Sequence, residues 1–479
     1  MRLRHLLQAC LLGLQPLSPS FEPIQPETFR AGGAFVNAFS DFDGDGDADL
    51  FVGFNGLPNR LYRNEAGRFH DVAGAVGVAD ARATRAAAWG DIDADGDPDL
   101  LVGFTPGPGS VLRLYRNDGG RFVDVTAAAG LLVDSGAVRQ PVWVDPDGDG
   151  DLDLYVAFRD RPNMLFRNDV GRFHDVGSEV GLADPRKSVG GVWFDYDEDG
   201  DLDLYQANMD GDANGLWQNN GGQFTDVAAP AGLAWGGRPP ANPANGTVRP
   251  CVGDVDGDGH LDLVTANYGP LGLFLNRGTG RFEDQSSAWG VAIEGRYDTC
   301  ALADFNNDGR LDLYVNGTVT GGTSYRDYLF VNRGDRFEDV TPPNILALAA
   351  DHGALWVDVD LDGDLDLALA GASPEGMHLV LGNQLTAPAS SRSVSLVMAG
   401  SPGSEIRFFV PGTHRLLGTR WVDAGSGYDA QSIGPIHFGL PSGVRRVDVE
   451  VIDPARGRQV LTKFRAGPRK PARVRSGDR

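Results

Sequence analysis

The sequence predicts an all-β protein, a seven-bladed β-propeller with a metal loop in each blade followed by a small C-terminal β-domain. Three observations predict it. The stretch Asp41-Phe42-Asp43-Gly44-Asp45-Gly46-Asp47-Ala48-Asp49-Leu50 recurs six times, in copies starting at Asp91, Asp145, Asp195, Asp254, Asp304 and Asp358, 50 to 59 residues apart. Repeats of this length are supersecondary units that bury their faces only by stacking on one another. Apolar residues alternate beside each loop, as at Leu152, Leu154 and Val156, which is strand period. Glycine, at 66 residues, suits a loop-rich β-protein.

Each loop is a ligand set. Aspartates at positions 1, 3 and 5 put hard oxygens on one side of a turn, and Gly at position 6 lets the chain fold back. Position 7 offers its backbone carbonyl whatever its side chain, and position 9 is always Asp. The sets are Asp41, Asp43, Asp45, Asp47 and Asp49; Asp91, Asp93, Asp95, Asp97 and Asp99; Asp145, Asp147, Asp149, Asp151 and Asp153; and Asp195, Asp197, Asp199, Asp201 and Asp203. The remaining three are Asp254, Asp256, Asp258, His260 and Asp262; Asp304, Asn306, Asp308, Arg310 and Asp312; and Asp358, Asp360, Asp362, Asp364 and Asp366. All-oxygen sets select Ca²⁺, up to seven structural ions. An EF-hand needs a bidentate Glu at position 12. Here that position is Val52, Val102, Val156, Gln206, Thr265, Val315 or Leu369. The sixth loop, with Asn306 and Arg310, carries the least negative charge and is expected to release its ion first.

Net charge is −24, and half of the 66 acidic residues lie in these loops. That excludes nucleic acid as a partner, since phosphate binding needs a basic face. It predicts a protein that repels itself without its ions. Residues 1–20 resemble a signal peptide, with Arg2 and Arg4 before a short apolar run and Ser18 and Ser20 after it. No other stretch is apolar enough to span a membrane. The expected location is therefore secreted, or cell-surface or periplasmic, and the expected state is a monomer. Cys10 lies in the leader. Cys251 and Cys300 precede the fifth and sixth loops. The expectation for that pair is two buried free thiols, with a bridge between neighbouring repeats as the alternative.

The repeats occupy 21–385. In four of them Trp stands two residues before the first ligand (Trp89, Trp143, Trp193, Trp356), and the fourth strand forms around Phe69, Phe122, Phe173, Phe224, Phe282 or Phe337. These aromatic residues are expected to pack between blades. Four short strands per repeat, arranged radially, make a propeller blade. The seventh repeat lacks its fourth strand, and Phe21-Glu22-Pro23-Ile24 resembles Phe337-Glu338-Asp339-Val340. The N-terminal strand is therefore expected to complete the last blade and close the ring. Residues 392–466 have no metal loop and alternate at 393–398, 406–410 and 447–452, which predicts a small β-domain. The basic tail 467–479 is expected to be disordered.

The repeats resemble FG-GAP/VCBS repeats, the calcium-loop propeller modules of integrin α-subunit heads. Gly425-Ser426-Gly427-Tyr428-Asp429-Ala430-Gln431, His437-Phe438-Gly439-Leu440 and Val447-Asp448-Val449 make the C-terminal segment similar to the ASPIC/UnbV domain. Propeller then ASPIC/UnbV is the order of the cartilage acidic protein family. Two turns depart from that pattern. Ile452-Asp453-Pro454-Ala455 stands for a Trp-Pro-Ser-Gly-like turn, and Gly439-Leu440-Pro441 for Gly-Leu-Gly. The resemblance implies an extracellular calcium-binding protein used in adhesion or interaction.

The sequence carries no nucleophile elbow, zincin helix or phosphate loop, so a non-enzyme is expected. If the metal loops ring one end of the channel, residues before each first strand lie at the other. Six repeats place a basic residue there, five to eight positions before the first ligand: Arg85, Arg139, Lys187, Arg249, Arg296 and His352. Phe35 takes the place in the first repeat. Such a ring would focus an anionic ligand, against the plainer reading of solvated charge lining the channel. The expected partner is an extracellular protein or glycan. A carbohydrate-binding or carbohydrate-active propeller recognising an acidic glycan is the alternative function.

Overall fold

The computed structural model describes residues 19–234, 244–278, 280–348, 352–372, 376–386, 389–398, 402–455, 457–465 and 471–474. The leader lies outside them, apart from its last two residues. Seven four-stranded antiparallel units make up the larger part, the first six running outward in chain order. In the first, Ala34–Ser40 pairs with Asp49–Phe54, then Arg60–Asn64, then Phe69–Asp71. The innermost strands are Ala34–Ser40, Thr84–Gly90, Val138–Val144, Ser188–Phe194, Gly246–Gly253, Glu294–Ala303 and Ala354–Val357. The first six each adjoin the next, and Ala34–Ser40 adjoins Asp366–Ala372 of the seventh blade, around a central channel. Phe21–Pro23 pairs with Met377–Asn383, Phe21 opposite Asn383, and is the fourth strand of the seventh blade. Blades five and six are further joined by pairing of Tyr268 with Arg296.

Hydrophobic burial supplies one core for each neighbouring pair of blades. The tryptophans sit in these seams, and Trp89, Trp143 and Trp193 are fully buried. The Trp89 indole donates to Ala38 O (3.3 Å), and that of Trp143 to Ala88 O (3.3 Å), each on the preceding blade. Trp143 and Phe173 rings lie 5.6 Å apart. In five blades the outer strand runs into a single helical turn, for example Thr126–Ala129. The sequence reading assigned no helix to these segments, because one turn is too short to show a 3.6-residue period. Gly130 ends that turn at φ +83°, where a Cβ would stand 2.7 Å from Phe173 O of the next blade.

A disulfide joins Cys251 and Cys300 on the innermost strands of blades five and six. The expectation of free thiols is thereby corrected, because the neighbouring innermost strands bring the two Cα atoms to 6.1 Å.

Two sheets form the C-terminal domain. One holds Leu416–Trp421, Glu405–Phe409, Arg446–Asp453 and Gly457–Arg465, the other Ile436–Gly439, Ser393–Met398 and Ala472–Val474. Phe408 and Phe438 stack at 4.1 Å in their shared core with Ile406, Val447 and Val449. The expectation of disorder over 467–479 is corrected at Ala472–Val474, which pairs in parallel with Leu396–Met398. An open strand edge recruits even a basic segment, since its backbone groups are otherwise unpaired.

Candidate metal centres and the channel site

In each loop the turn is held by its own carboxylates. Asp41 Oδ2 accepts from Gly46 N at 3.1 Å, and the equivalent bond recurs at Asp91, Asp145, Asp195, Asp304 and Asp358. The carboxylate oxygens of Asp41, Asp43 and Asp45 lie within 4.8 Å of one another. So do those of Asp91, Asp93 and Asp99; Asp145, Asp147 and Asp149; Asp195, Asp197 and Asp199; and Asp254, Asp256 and Asp262. Positions 1, 3 and 5 or 9 are thus brought together as ligand sets require. Position 7 is different. The side chains of Asp47 and Asp97 accept from Ala66 N (2.8 Å) and Gly119 N (2.9 Å), His260 pairs with Glu198 of the neighbouring loop, and Arg310 reaches Asp308 at 3.7 Å. At these four loops the position 7 side chain is already engaged, so its backbone carbonyl is the donor it offers an ion.

Position 9 is the anchor. Asp99 is fully buried, its Oδ2 accepting from Ile92 N (3.0 Å) and its Oδ1 from Asn117 N (2.8 Å). Asn117 then donates through Nδ2 to Phe42 O of the preceding blade (2.8 Å) and to Pro98 O (3.1 Å). Asn64, Asn168, Asn219, Asn276, Asn332 and Asn383 make the same bond to the preceding blade's loop. This asparagine clasp was not recognised from sequence, although Asn ends the third strand in every repeat.

Electrostatics favour a cation. Burial pushes the Asp49 carboxyl up to about 8, Asp99 to about 7, Asp153 to about 8 and Asp203 to about 9, against backbone N–H bonds that lower them. Burial and then Asp362 and Asp358 raise Asp364 to about 8, and both its carboxylate oxygens are buried without a hydrogen-bond partner. A divalent ion among these groups would reverse the shifts, since an opposite charge nearby favours ionisation. The donor set fits calcium: oxygen only, flexible in number, with carboxylates at several positions.

The C-terminal domain covers this face. Gly439 N donates to Asp304 Oδ2 (3.1 Å), Arg420 donates to Gly309 O (3.3 Å), and His437 Nε2 lies 2.7 Å from Asn307 Oδ1, all at the sixth loop. A cavity of about 540 Å³ remains between domain and ring, bounded by Trp89, Trp356, Trp421, the Cys251–Cys300 pair and Arg420.

From there the segment between Trp421 and Ile433 descends into the channel. Trp193 N donates to Ala424 O (3.0 Å), and Ala430 and Gln431 pair in parallel with Ala87 and Ala88. At Gly425 a Cβ would stand 2.2 Å from Gly191 O, so the thread passes only as glycine. At the far end Tyr428 and Asp429 meet the basic ring. Arg85 Nε lies 2.9 Å from Asp429 Oδ2, and its Nη2 donates to the Tyr428 hydroxyl (2.6 Å). Arg249, fully buried, donates to Asp429 Oδ1 (2.7 Å) and to Gln140. The His352 ring stacks on Tyr428 at 5.1 Å. Burial opposes the charge on Arg85, but Tyr428 and Asp429 hold its guanidinium above the usual range.

The structure therefore brings Arg85, Arg249 and His352 together on the chain's own Tyr428–Asp429. Lys187 lies 3.4 Å from Asp210, and Arg296 lies over the Tyr268 ring at 4.7 Å. Arg85 and Arg139 sit at β-bulges of their strands, which turn side chains out of the pleat. The sequence reading missed the occupant, because nothing local says that a segment beyond 420 will thread a channel built before 385.

Residues 41–102, 145–206, 195–264 and 254–315 match the FG-GAP-like repeat model. The chain carries FG-GAP-like repeats. Over 345 residues it is 27% identical to mouse (Mus musculus) cartilage acidic protein 1, covering 66% of this chain and 51% of that protein. The human (Homo sapiens) protein of the same name is 27% identical over 333 residues, 64% of this chain and 48% of its own. The chain thus spans about half the length of these relatives. Among solved structures, BBS1N in complex with ARL6DN aligns with a TM-score of 0.45 at 11% identity, covering 75% of this chain and 95% of that one. FG-GAP-like repeats imply a propeller, in keeping with the seven four-stranded units, and no helix among the described residues is long and apolar enough to cross a membrane.

Proposed function

We propose that this FG-GAP propeller is an extracellular, calcium-stabilised interaction module without catalytic activity. The convergence of carboxylate oxygens within 4.8 Å of one another in the acidic loops carries the reading. Bound calcium supplies charge neutralisation and turn rigidity there. The chain's own residues do the rest: Gly46 and its equivalents close the turn, and the asparagine clasp ties each loop to the blade before it. Ions therefore couple blade to blade rather than acting on a substrate. With the C-terminal domain seated on the metal face, the opposite channel end is the open one for a partner. The kinship to cartilage acidic protein 1 supports an extracellular setting.

Chelation tests it. EDTA should lower the Tm by many degrees, and excess Ca²⁺, but not Mg²⁺, should restore it. An unchanged Tm would sink the calcium reading. Capture of surface proteins with and without Ca²⁺ tests the interaction reading separately.

A further inference from the structure

The cations at the open channel end outnumber their partners. Arg85 and Arg249 share Asp429, at 2.9 and 2.7 Å. Arg159 and Lys187 share Asp210, at 2.8 and 3.4 Å. Asp298 faces His352 at 3.4 Å. Arg139 lies beside Arg85 and Arg159 and draws on the same Asp429, and its Nε is buried without a hydrogen-bond partner. Arg159 Nη1 is likewise buried and unpartnered. Lys187 keeps half of its side chain in solvent, so this arc of blades three and four opens outward. A half-buried guanidinium among like charges gains from an anion that joins it.

The neighbouring half of the ring shows what such an anion looks like. It is a peptide carboxylate, on a backbone that hydrogen-bonds an innermost strand, with an aromatic ring stacked beside it. Guanidinium forks suit carboxylate geometry. On a chain of net charge −24, this local positive mouth would also draw an acidic segment away from the rest of the surface.

We propose that Arg139, with Arg159 and Lys187, docks an acidic peptide segment of a partner protein at the open end of the channel, one carboxylate binding Arg139 beside Asp429. This rests on the interaction-module reading and gives it a face and a partner chemistry.

The test is fluorescence anisotropy of the full chain in Ca²⁺ with a labelled hexaglutamate peptide, against labelled oligoglucuronate of equal charge. Hexaglutamate should bind, weaken with added salt, and weaken about tenfold or more in Arg139→Ala. The Tm should not fall, because Arg139 makes no hydrogen bond to lose. Arg139→Lys should restore part of the binding through charge alone. Equal binding by wild type and Arg139→Ala, or no binding, overturns the site. Binding of oligoglucuronate but not hexaglutamate overturns the peptide assignment. A surface partner captured equally well by Arg139→Ala would overturn this site and leave the interaction-module reading standing.

Discussion

Replacing Asp429 by Ala should be among the most damaging single changes in the chain. Its carboxylate is buried and bridges two guanidiniums, and Arg249 has no exposed surface through which to reach water. Removing one partner of a buried pair leaves the other charge uncompensated, at about 3–5 kcal/mol. Unfolding entropy near 2.1 cal/mol/K per residue gives roughly 1 kcal/mol/K for a chain of this length. The expected drop is therefore only about 4 °C if the molecule melts as one unit, but larger if the C-terminal domain lets go first. Differential scanning calorimetry distinguishes the two, because early release splits the single transition. Proteolysis at the linker before Ser393 should accelerate in the second case. Adding Arg249→Met to Asp429→Ala should recover part of the loss, since the orphaned charge then goes too. A variant that loses less than about 1 kcal/mol, with Arg249→Met no remedy, would refute the claim that Asp429 anchors the segment in the channel.

Other perturbations follow from single contacts. Asn117→Ala removes bonds to Phe42 O, Pro98 O and Gly120 N and leaves buried carbonyls unsatisfied, which should cost about 2–4 kcal/mol in urea titration; a loss below about 0.5 kcal/mol would mean that the clasp is replaceable by water. Burial lowers His378 to about 3, so the unfolded chain takes up its proton near pH 6.5 while the folded one does not. Stability is then full above pH 6.5 and falls as pH drops toward 3, by up to about 1.4 kcal/mol per unit from this group. His378→Gln should flatten that part of the pH–Tm curve, and parallel curves would contradict it. Cys251→Ser opens a loop with a sequence separation of 49 residues, which should destabilise by roughly 2–4 kcal/mol and match the wild type treated with reductant.

The propeller was legible because its signals are local and repeated. Six copies of Asp-x-Asp-x-Asp-Gly and a seventh with Asn306 at its second ligand, strand alternation beside them and Trp at a fixed offset in four repeats left little freedom, and the resemblance of Phe21–Ile24 to Phe337–Val340 even located the closing strand. The single helical turns escaped because a few residues such as Ala73–Val76 hold no periodicity. The asparagines escaped because Asn at a strand end reads as turn chemistry until the carbonyl of another blade lies opposite its Nδ2. Cys251 and Cys300 look like buried hydrophobes in sequence, and only the register of two neighbouring strands sets them face to face. Of the basic residues expected to form a ring, Arg85, Arg249 and His352 meet at one place, whereas Lys187 and Arg296 face Asp210 and Tyr268. The occupant of that place was invisible, since Tyr428 and Asp429 belong to a domain whose docking is a property of the whole assembly.

The closing strand also has a kinetic meaning. Phe21–Pro23 precedes every other blade strand in the chain, yet its partner Asn383 comes only after all of them. During synthesis the ring is therefore an open arc, with the Met377–Asn383 edge still to come and Phe21 unemployed. Closure is a contact of very high sequence separation and slow for that reason. Until it forms, the arc offers bare strand edges to other nascent chains. Loss of Phe21–Pro23 alone would delete the latch and leave the strands of every other blade in place.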